Sequence, residues 1–272
     1  ILNMSLADYP TFTLNCNLTK EQIDFFDQYG FIHFKGFADK ETVEGIIRAT
    51  EEIQEKWISE GKEKNNGIPI KYGKDENGKT IVQRFSFASL NHPFISKFVN
   101  SGRLETLKML MPEGSRIAEN EKDGVVVNHY VNTDESQYAK MGWHTDSIRD
   151  IFYGKRVKPM LNVGIYLDNS SEKNGGLRIL PGTHKQGVWG MMFKKKYFMG
   201  HDHDDNEMLV RAEAGDMVIH DGRIWHRVAE APVKGAESRR RVMYIPVICG
   251  DYMPKDENSK TPFYMHFLKF IK

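Results

Sequence analysis

Cysteine is nearly missing from the chain: 272 residues include two, Cys16 and Cys249, far apart in the sequence. That spacing fits neither a disulfide framework nor a thiolate metal site, so a reducing, cytoplasmic setting is expected. Net charge is equally scarce. Lys+Arg 38 against Asp+Glu 37 leaves a formal +1, which supplies no global field for a polyanion, and nucleic acid is not expected as a partner. No apolar run is long enough to span a bilayer, and the opening ILNMSLADYP lacks the charged-then-apolar order of a signal peptide. Neither membrane insertion nor secretion is expected on those grounds. Ile1, Leu2 and Asn3 precede the first methionine, Met4, and are read as an appended leader, which leaves 4–272 as one expected domain. Internal repeats and low-complexity tails are missing too.

What is present falls into two textures. Thr19-Lys-Glu-Gln22 has the form of a capping box, and Ile23, Phe26 and Tyr29 follow at helical spacing until Gly30 stops the run. FIHFKGF, Phe31 to Phe37, alternates like a short strand; Asp39 then opens a second helix with Val43, Ile46, Ile47, Ile53 and Trp57 on one face. Helical texture returns at about 93–111, after turn-rich polar sequence that includes Asp75 to Gly78, so the helix-rich part runs over about 18–115. From Val125 onward the chain breaks into short β-branched runs: VVVNHYV, MLNVGIYL, LRIL, DMVIH and RRVMYIPVI. Strands separated by turns, without helices between them, argue for a mainly β fold. The expected architecture is a jelly roll of about eight strands in two facing sheets over about 124–250, buttressed by the N-terminal helices.

Within the β half, His144-Thr145-Asp146 places an imidazole and a carboxylate on one side of an extended segment, because side chains there alternate with a period of two. His226, at the end of AGDMVIHDGRIWH, can bring a third ligand from a neighbouring strand. Two histidines and one carboxylate on one face of an octahedral ion leave positions open, the pattern of non-haem Fe(II) oxygenases. An HxD pair alone is commonplace on solvated edges. A second cluster, His201-Asp-His203-Asp-Asp205, looks like the start of a binuclear zinc hydrolase signature, but position 206 is asparagine where that signature needs histidine. It is read as a solvated loop, with a zinc hydrolase as the alternative.

The surrounding sequence resembles the phytanoyl-CoA dioxygenase family. LTKEQIDFFDQYGFIHFKGF, GWHTDS, NGGLRILPGTHKQG, AGDMVIHDGRIWHRV and SRRRVMYIPV follow in the family's order from about residue 18 to 250. The resemblance implies a double-stranded β-helix, Fe(II), the cosubstrate 2-oxoglutarate, O₂, and hydroxylation of an aliphatic C–H bond of a small molecule with release of succinate and CO₂. Carried over by position, it assigns the metal to His144, Asp146 and His226. It also points to an arginine in SRRRVMY for the cosubstrate's far carboxylate. Of Arg239, Arg240 and Arg241, Arg240 is chosen because the family's strand continues from there, and its neighbours then face the other way. The family often has a serine two residues after the distal histidine; here that position is Val228, so another hydroxyl must serve. Asn128 and Asn162, on strands flanking HTD, are candidates to reach the cosubstrate. Related halogenases lack the metal-binding carboxylate, so the presence of Asp146 favours hydroxylation. Arg84, Arg116 and Arg149 lie outside the resembling segments, and Arg84 and Arg149 are candidate substrate contacts in a cationic mouth. A catalytically silent scaffold is the remaining alternative. The oligomeric state is not legible.

Overall fold

The capping box at Thr19 forms: its hydroxyl accepts from the Gln22 N–H at 3.2 Å, and the Gln22 side chain accepts from the Thr19 N–H at 3.0 Å. The helix Lys20–Tyr29 then ends on Gly30 at φ 78, a left-handed cap that glycine adopts without steric penalty. Asp39 caps the helix Lys40–Ser59 by accepting from the Thr42 N–H at 2.8 Å. Its apolar stripe is buried, and the Trp57 ring packs 5.7 Å from that of Phe85. These features belong to a computed structural model that describes residues 8–136, 138–152, 154–263 and 265. The expected leader, Ile1 to Asn3, lies outside the described residues. Among the described residues no helix is long and apolar enough to cross a membrane.

The β half folds as a jelly roll. One sheet runs in the order Phe31–Phe34, Met217–Asp221, Met160–Tyr166, Arg240–Ile248, Val126–Tyr130, Thr80–Phe85, Lys71–Lys74. The other runs Met208–Leu209, Gly176–Ile179, His226–Ala229, Met141–His144. Four strands of the larger sheet, from 217–221 to 126–130, together with the four of the smaller one make the expected eight. Two details differ from expectation. The Phe31 strand stops at Phe34, with all four residues buried, because Gly36 turns the chain at φ 59. The polar stretch after the second helix forms a β-hairpin around Asp75, whose carboxylate accepts from the Asn77 and Lys79 N–H groups at 2.9 Å. The helix-rich part is thus mixed, and its hairpin extends the larger sheet.

Register decides which side chains share the interior. Arg84 and Val242 both lie opposite Asn128, Arg240 opposite Tyr130, Val242 opposite Tyr166, and His220 opposite Asn162. Directly opposed residues point to one face and strand side chains alternate. Arg84, Asn128, Tyr130, Asn162, Tyr166, His220, Arg240 and Tyr244 therefore line a single face.

His129 points the other way, opposite Arg241. Burial first, then the charges of Arg241 and Arg239, push its pKa down from the model-peptide 6.5 to about 3. The unfolded chain therefore binds a proton that the fold refuses. Stability from this group is present above about pH 6.5 and is lost as pH falls toward 3, by up to about 1 kcal/mol per pH unit. In urea titrations across that window the midpoint should fall less steeply for His129→Gln than for the parent; identical slopes would contradict this.

Candidate metal centre

His144 closes its strand and His226 opens the adjacent one, directly opposite in antiparallel register, with ring centroids 4.0 Å apart. Each ring is held by the carbonyl two residues before it. Nδ1 of His144 lies 2.7 Å from the Gly142 oxygen and Nδ1 of His226 lies 3.1 Å from that of Ile224. Those carbonyls can only accept, so Nδ1 carries the proton and each Nε2 presents a lone pair. The strand stops at His144, so Asp146 reaches the site from the turn beyond it while Thr145 is buried between them. Its oxygens lie 3.9 Å from His144 Nε2 and 3.7 Å from His226 Nε2, and one ligand atom from each residue falls within 4.8 Å of the others.

The electrostatics suit a cation. Burial pushes both imidazoles down, His144 to about 4, which keeps them neutral. Burial alone would raise the Asp146 pKa. His226, a hydrogen bond from His220 and the charge of Arg149 outweigh it and hold the carboxyl well below its ordinary range. Asp146 is also oriented from outside the triad: Asn162 Nδ2 donates to Oδ2 at 3.0 Å, His220 Nε2 lies 3.3 Å from the same oxygen, and an Arg149 Nη lies 3.2 Å from Oδ1. Two neutral imidazoles and one carboxylate form a donor set that fits Fe(II).

Asn162 therefore hydrogen-bonds the carboxylate ligand. His220 escaped the sequence reading, although a histidine in the apolar run MVIHD with Val218 on the same face was a usable signal. Tyr197 and Phe198 were also missed. The Phe198 ring stacks on His144 at 4.8 Å and 21°, and the Tyr197 hydroxyl donates to the Thr145 carbonyl at 2.9 Å. Their segment, KKKYFMG, reads as a basic loop and carries no sign of this. Phe198 sits at φ 57, a left-handed conformation uncommon outside glycine. The Phe198 N–H donates to the Trp143 carbonyl at 2.7 Å and the Trp143 N–H to that of Gly200 at 2.8 Å. Gly142 permits the approach, since a Cβ there would lie 2.3 Å from the Phe198 oxygen.

Arg240 points into the same interior. It is 2% exposed, its guanidinium lies 4.7 Å over the Tyr130 ring, and Tyr166, Tyr244 and Tyr138 surround it. Among the described residues no carboxylate pairs with it, and one Nη is buried without a hydrogen-bond partner. The Tyr166 hydroxyl and Asn128 Oδ1 are buried and unpartnered as well, while Asn128 Nδ2 donates to the Tyr130 hydroxyl at 3.2 Å. Arg239 and Arg241 turn away, to Glu76 and to Asp168, the latter through two contacts of 2.8 Å. Val228 is buried opposite Leu177 and offers no polar atom.

The other arginines separate. Arg84 is on the inner face and donates to Asp123 at 2.8 Å; Arg149 spans Asp123 at 3.0 Å and Asp146 at 3.2 Å. Both side chains are largely buried, at 14% and 25% exposed. Arg116 instead binds Glu121 and the Gly250 carbonyl. In the 201–205 segment His203 pairs with Glu207, Asp204 with Lys195, and the Asp205 carboxylate is fully exposed. Those groups do not converge; among the described residues the cluster able to hold a metal is His144, Asp146 and His226.

Comparison with known proteins agrees with this geometry. A family model for phytanoyl-CoA dioxygenase (PhyH) matches residues 26–240. A probable alpha-ketoglutarate-dependent hypophosphite dioxygenase of Stutzerimonas stutzeri is 26% identical over 173 residues, covering 62% of the chain and 54% of the relative. The chain thus spans about half the length of that relative. Among solved structures, HygX from Streptomyces hygroscopicus with nickel and 2-oxoglutarate bound is similar at TM-score 0.62 and 14% identity, over 88% of the chain and 90% of HygX. AviO1 from Streptomyces viridochromogenes Tue57 is similar at TM-score 0.60 and 16% identity, over 86% and 96%. The non-heme alpha ketoglutarate dependent carbocyclase SnoK from nogalamycin biosynthesis is similar at TM-score 0.61 and 17% identity, over 93% and 91%. At such identities these structures attest the shared fold.

Proposed function

The chain belongs to the phytanoyl-CoA dioxygenase family, and from that premise we propose that it is an Fe(II)- and 2-oxoglutarate-dependent dioxygenase that hydroxylates an aliphatic C–H bond of a small molecule, releasing succinate and CO₂. The observation that carries the reading is Arg240: a buried guanidinium without a carboxylate partner among the described residues, on the interior face that also presents Asn162 and His220 to the metal centre. A buried charge left uncompensated is strongly destabilising, and the far carboxylate of 2-oxoglutarate supplies the missing anion.

In this reading His144, Asp146 and His226 hold the iron. Iron bound there offers the open coordination positions that a 2-oxo acid and O₂ need in order to react. The residues of the chain do the rest. The Gly142 and Ile224 carbonyls fix the two rings; Asn162, His220 and Arg149 fix the carboxylate; the guanidinium fork of Arg240 takes the far carboxylate in two parallel hydrogen bonds. The unpartnered Tyr166 hydroxyl, two residues along the same face from the position opposite Arg240, takes the part that a serine at Val228 would play. Asn128 turns its free amide oxygen to the same interior, an acceptor for a hydroxyl of the substrate. The Phe198 ring covers His144 and keeps bulk water from it. Because Asp146 occupies a coordination position, the product is hydroxylated and not halogenated.

The test is consumption of 2-oxoglutarate by the iron-loaded chain under O₂. Without substrate, slow uncoupled succinate formation is expected, with one iron per chain; hypophosphite, after the curated relative, belongs in the first substrate screen. Iron-loaded protein that forms no succinate, or zinc-dependent hydrolysis without 2-oxoglutarate loss, would overturn the reading.

A further inference from the structure

Beside the metal centre the described residues gather more positive charge than their carboxylates neutralise. Arg84, Lys122, Arg149 and Lys255 converge there with side chains 14%, 11%, 25% and 14% exposed. Apart from Asp146, the carboxylates among them are Asp123 and Asp150. Asp123 is shared by Arg84 at 2.8 Å, Arg149 at 3.0 Å and Lys255 at 3.8 Å, and Asp150 takes Lys122 at 3.0 Å. Among the described residues that leaves an excess of two positive charges, and Asp146 cannot offset them while it serves a metal. Two of the cations also have buried donors without a hydrogen-bond partner among the described residues: one Nη of Arg84, and the Nζ of Lys255, which reaches Asp123 only at 3.8 Å. Burial lowers the pKa of both lysines, and the nearby Arg149 charge lowers each further.

The position of the cluster gives it a use. Arg84 lies on the inner face next to Asn128, and Arg149 touches the metal ligand Asp146. It is set apart from Arg240 by an aromatic pair: Tyr130 carries the Arg240 guanidinium on its ring and stacks at 4.7 Å on Tyr138, whose hydroxyl feels the charge of Arg84. The interior therefore has two cationic stations, one on each side of that pair, and a single cosubstrate carboxylate satisfies one of them.

We propose that Arg84 and Arg149, backed by Lys122 and Lys255, form a subsite for an oxyanion group of the substrate, a carboxylate or a phosphorus oxyanion, next to the metal and separate from the Arg240 station. The identity of the occupant as substrate rests on the oxygenase reading above. Arginine suits both groups, since its planar fork matches either in bidentate fashion. An anion held by Arg149 is a near neighbour of Asp146 and hence of the metal, so the C–H or P–H bond to be oxidised lies close in the covalent structure to the charged group.

Acetate and methylphosphonate, titrated separately into the full chain loaded with Mn(II) and 2-oxoglutarate, test this through Mn(II)-induced broadening of their methyl proton resonances. At least one should bind with strong broadening, and the stronger of the two identifies the oxyanion. Arg84→Gln should weaken that binding at least tenfold while leaving 2-oxoglutarate affinity unchanged. The paired variant Arg84→Gln with Asp123→Asn strands no buried carboxylate and should weaken it equally, which separates loss of the subsite from loss of the fold. Absence of binding by both anions, equal broadening in the parent and both variants, or binding lost only with Arg240→Ala would overturn the proposal. If the parent chain holds neither Mn(II) nor 2-oxoglutarate, the oxygenase reading fails instead. Calorimetric titration of the same anions into the metal-free parent and variants then decides the subsite by the same tenfold criterion.

Discussion

His144→Ala and Asp146→Ala are each expected to strip the chain of iron and abolish succinate formation while its circular dichroism spectrum persists. Each removes one of three donors that converge within 4.8 Å. Losing an outer partner of a metal ligand typically costs about 10–100-fold in metal affinity. Asn162→Ala, which deprives Asp146 of a 3.0 Å hydrogen bond, should fall in that range, and the two ligand variants should fall beyond it. Iron content after dialysis against a weak chelator ranks the three. Stoichiometric iron in both ligand variants would refute the centre. The fold should persist because His144 and Asp146 sit at a strand end and in the turn beyond it, with the hydrophobic core formed elsewhere.

The second large effect is expected at Arg240. Truncating one member of a buried, hydrogen-bonded charge pair costs roughly 2–5 kcal/mol, so Arg240→Ala should raise the 2-oxoglutarate KM by about 30-fold or more. Arg239→Ala and Arg241→Ala remove partly exposed pairs with Glu76 and Asp168, and such pairs are worth about 1 kcal/mol or less. Those two variants should change stability slightly and KM hardly at all. A larger KM increase for either neighbour than for Arg240 would mean that the inward face of this strand is wrongly assigned. The comparison is sharp because the three residues are consecutive and chemically identical, differing only in the face they occupy.

How much of this was legible in the sequence depended on how local the signal was. The caps at Thr19 and Asp39 were readable because capping is a contact over three residues, and the triad because HTD and the distal histidine are chemically unusual among apolar strands. The inward direction of Arg240 was readable through strand alternation. The partners of Arg84 were not readable, because its position follows from a hairpin in polar sequence whose pairing with Asn128 is non-local. His220 and Phe198 were missed for a related reason. Each acts on a ligand 74 and 54 residues away in sequence, Asp146 and His144 respectively, and no periodicity records such a contact. The hydroxyl proposed above in place of a serine at Val228 could not be named from sequence either, since Tyr166 reads as an ordinary strand aromatic until the register places it near Arg240.

The strand that carries His144 is the last in the smaller sheet, and an exposed last strand is a template for unwanted pairing with another molecule. Here the backbone of residues 198–200 binds it on its open side, through the Phe198 N–H to the Trp143 carbonyl and the Trp143 N–H to the Gly200 carbonyl. The same segment lays the Phe198 ring on His144. Solubility and metal retention are thereby tied to one piece of chain: whatever peels residues 198–200 away uncovers a sheet edge and releases a ligand ring together. Aggregation on heating should accordingly begin where iron is lost, and bound metal should protect the chain from self-association as much as from unfolding.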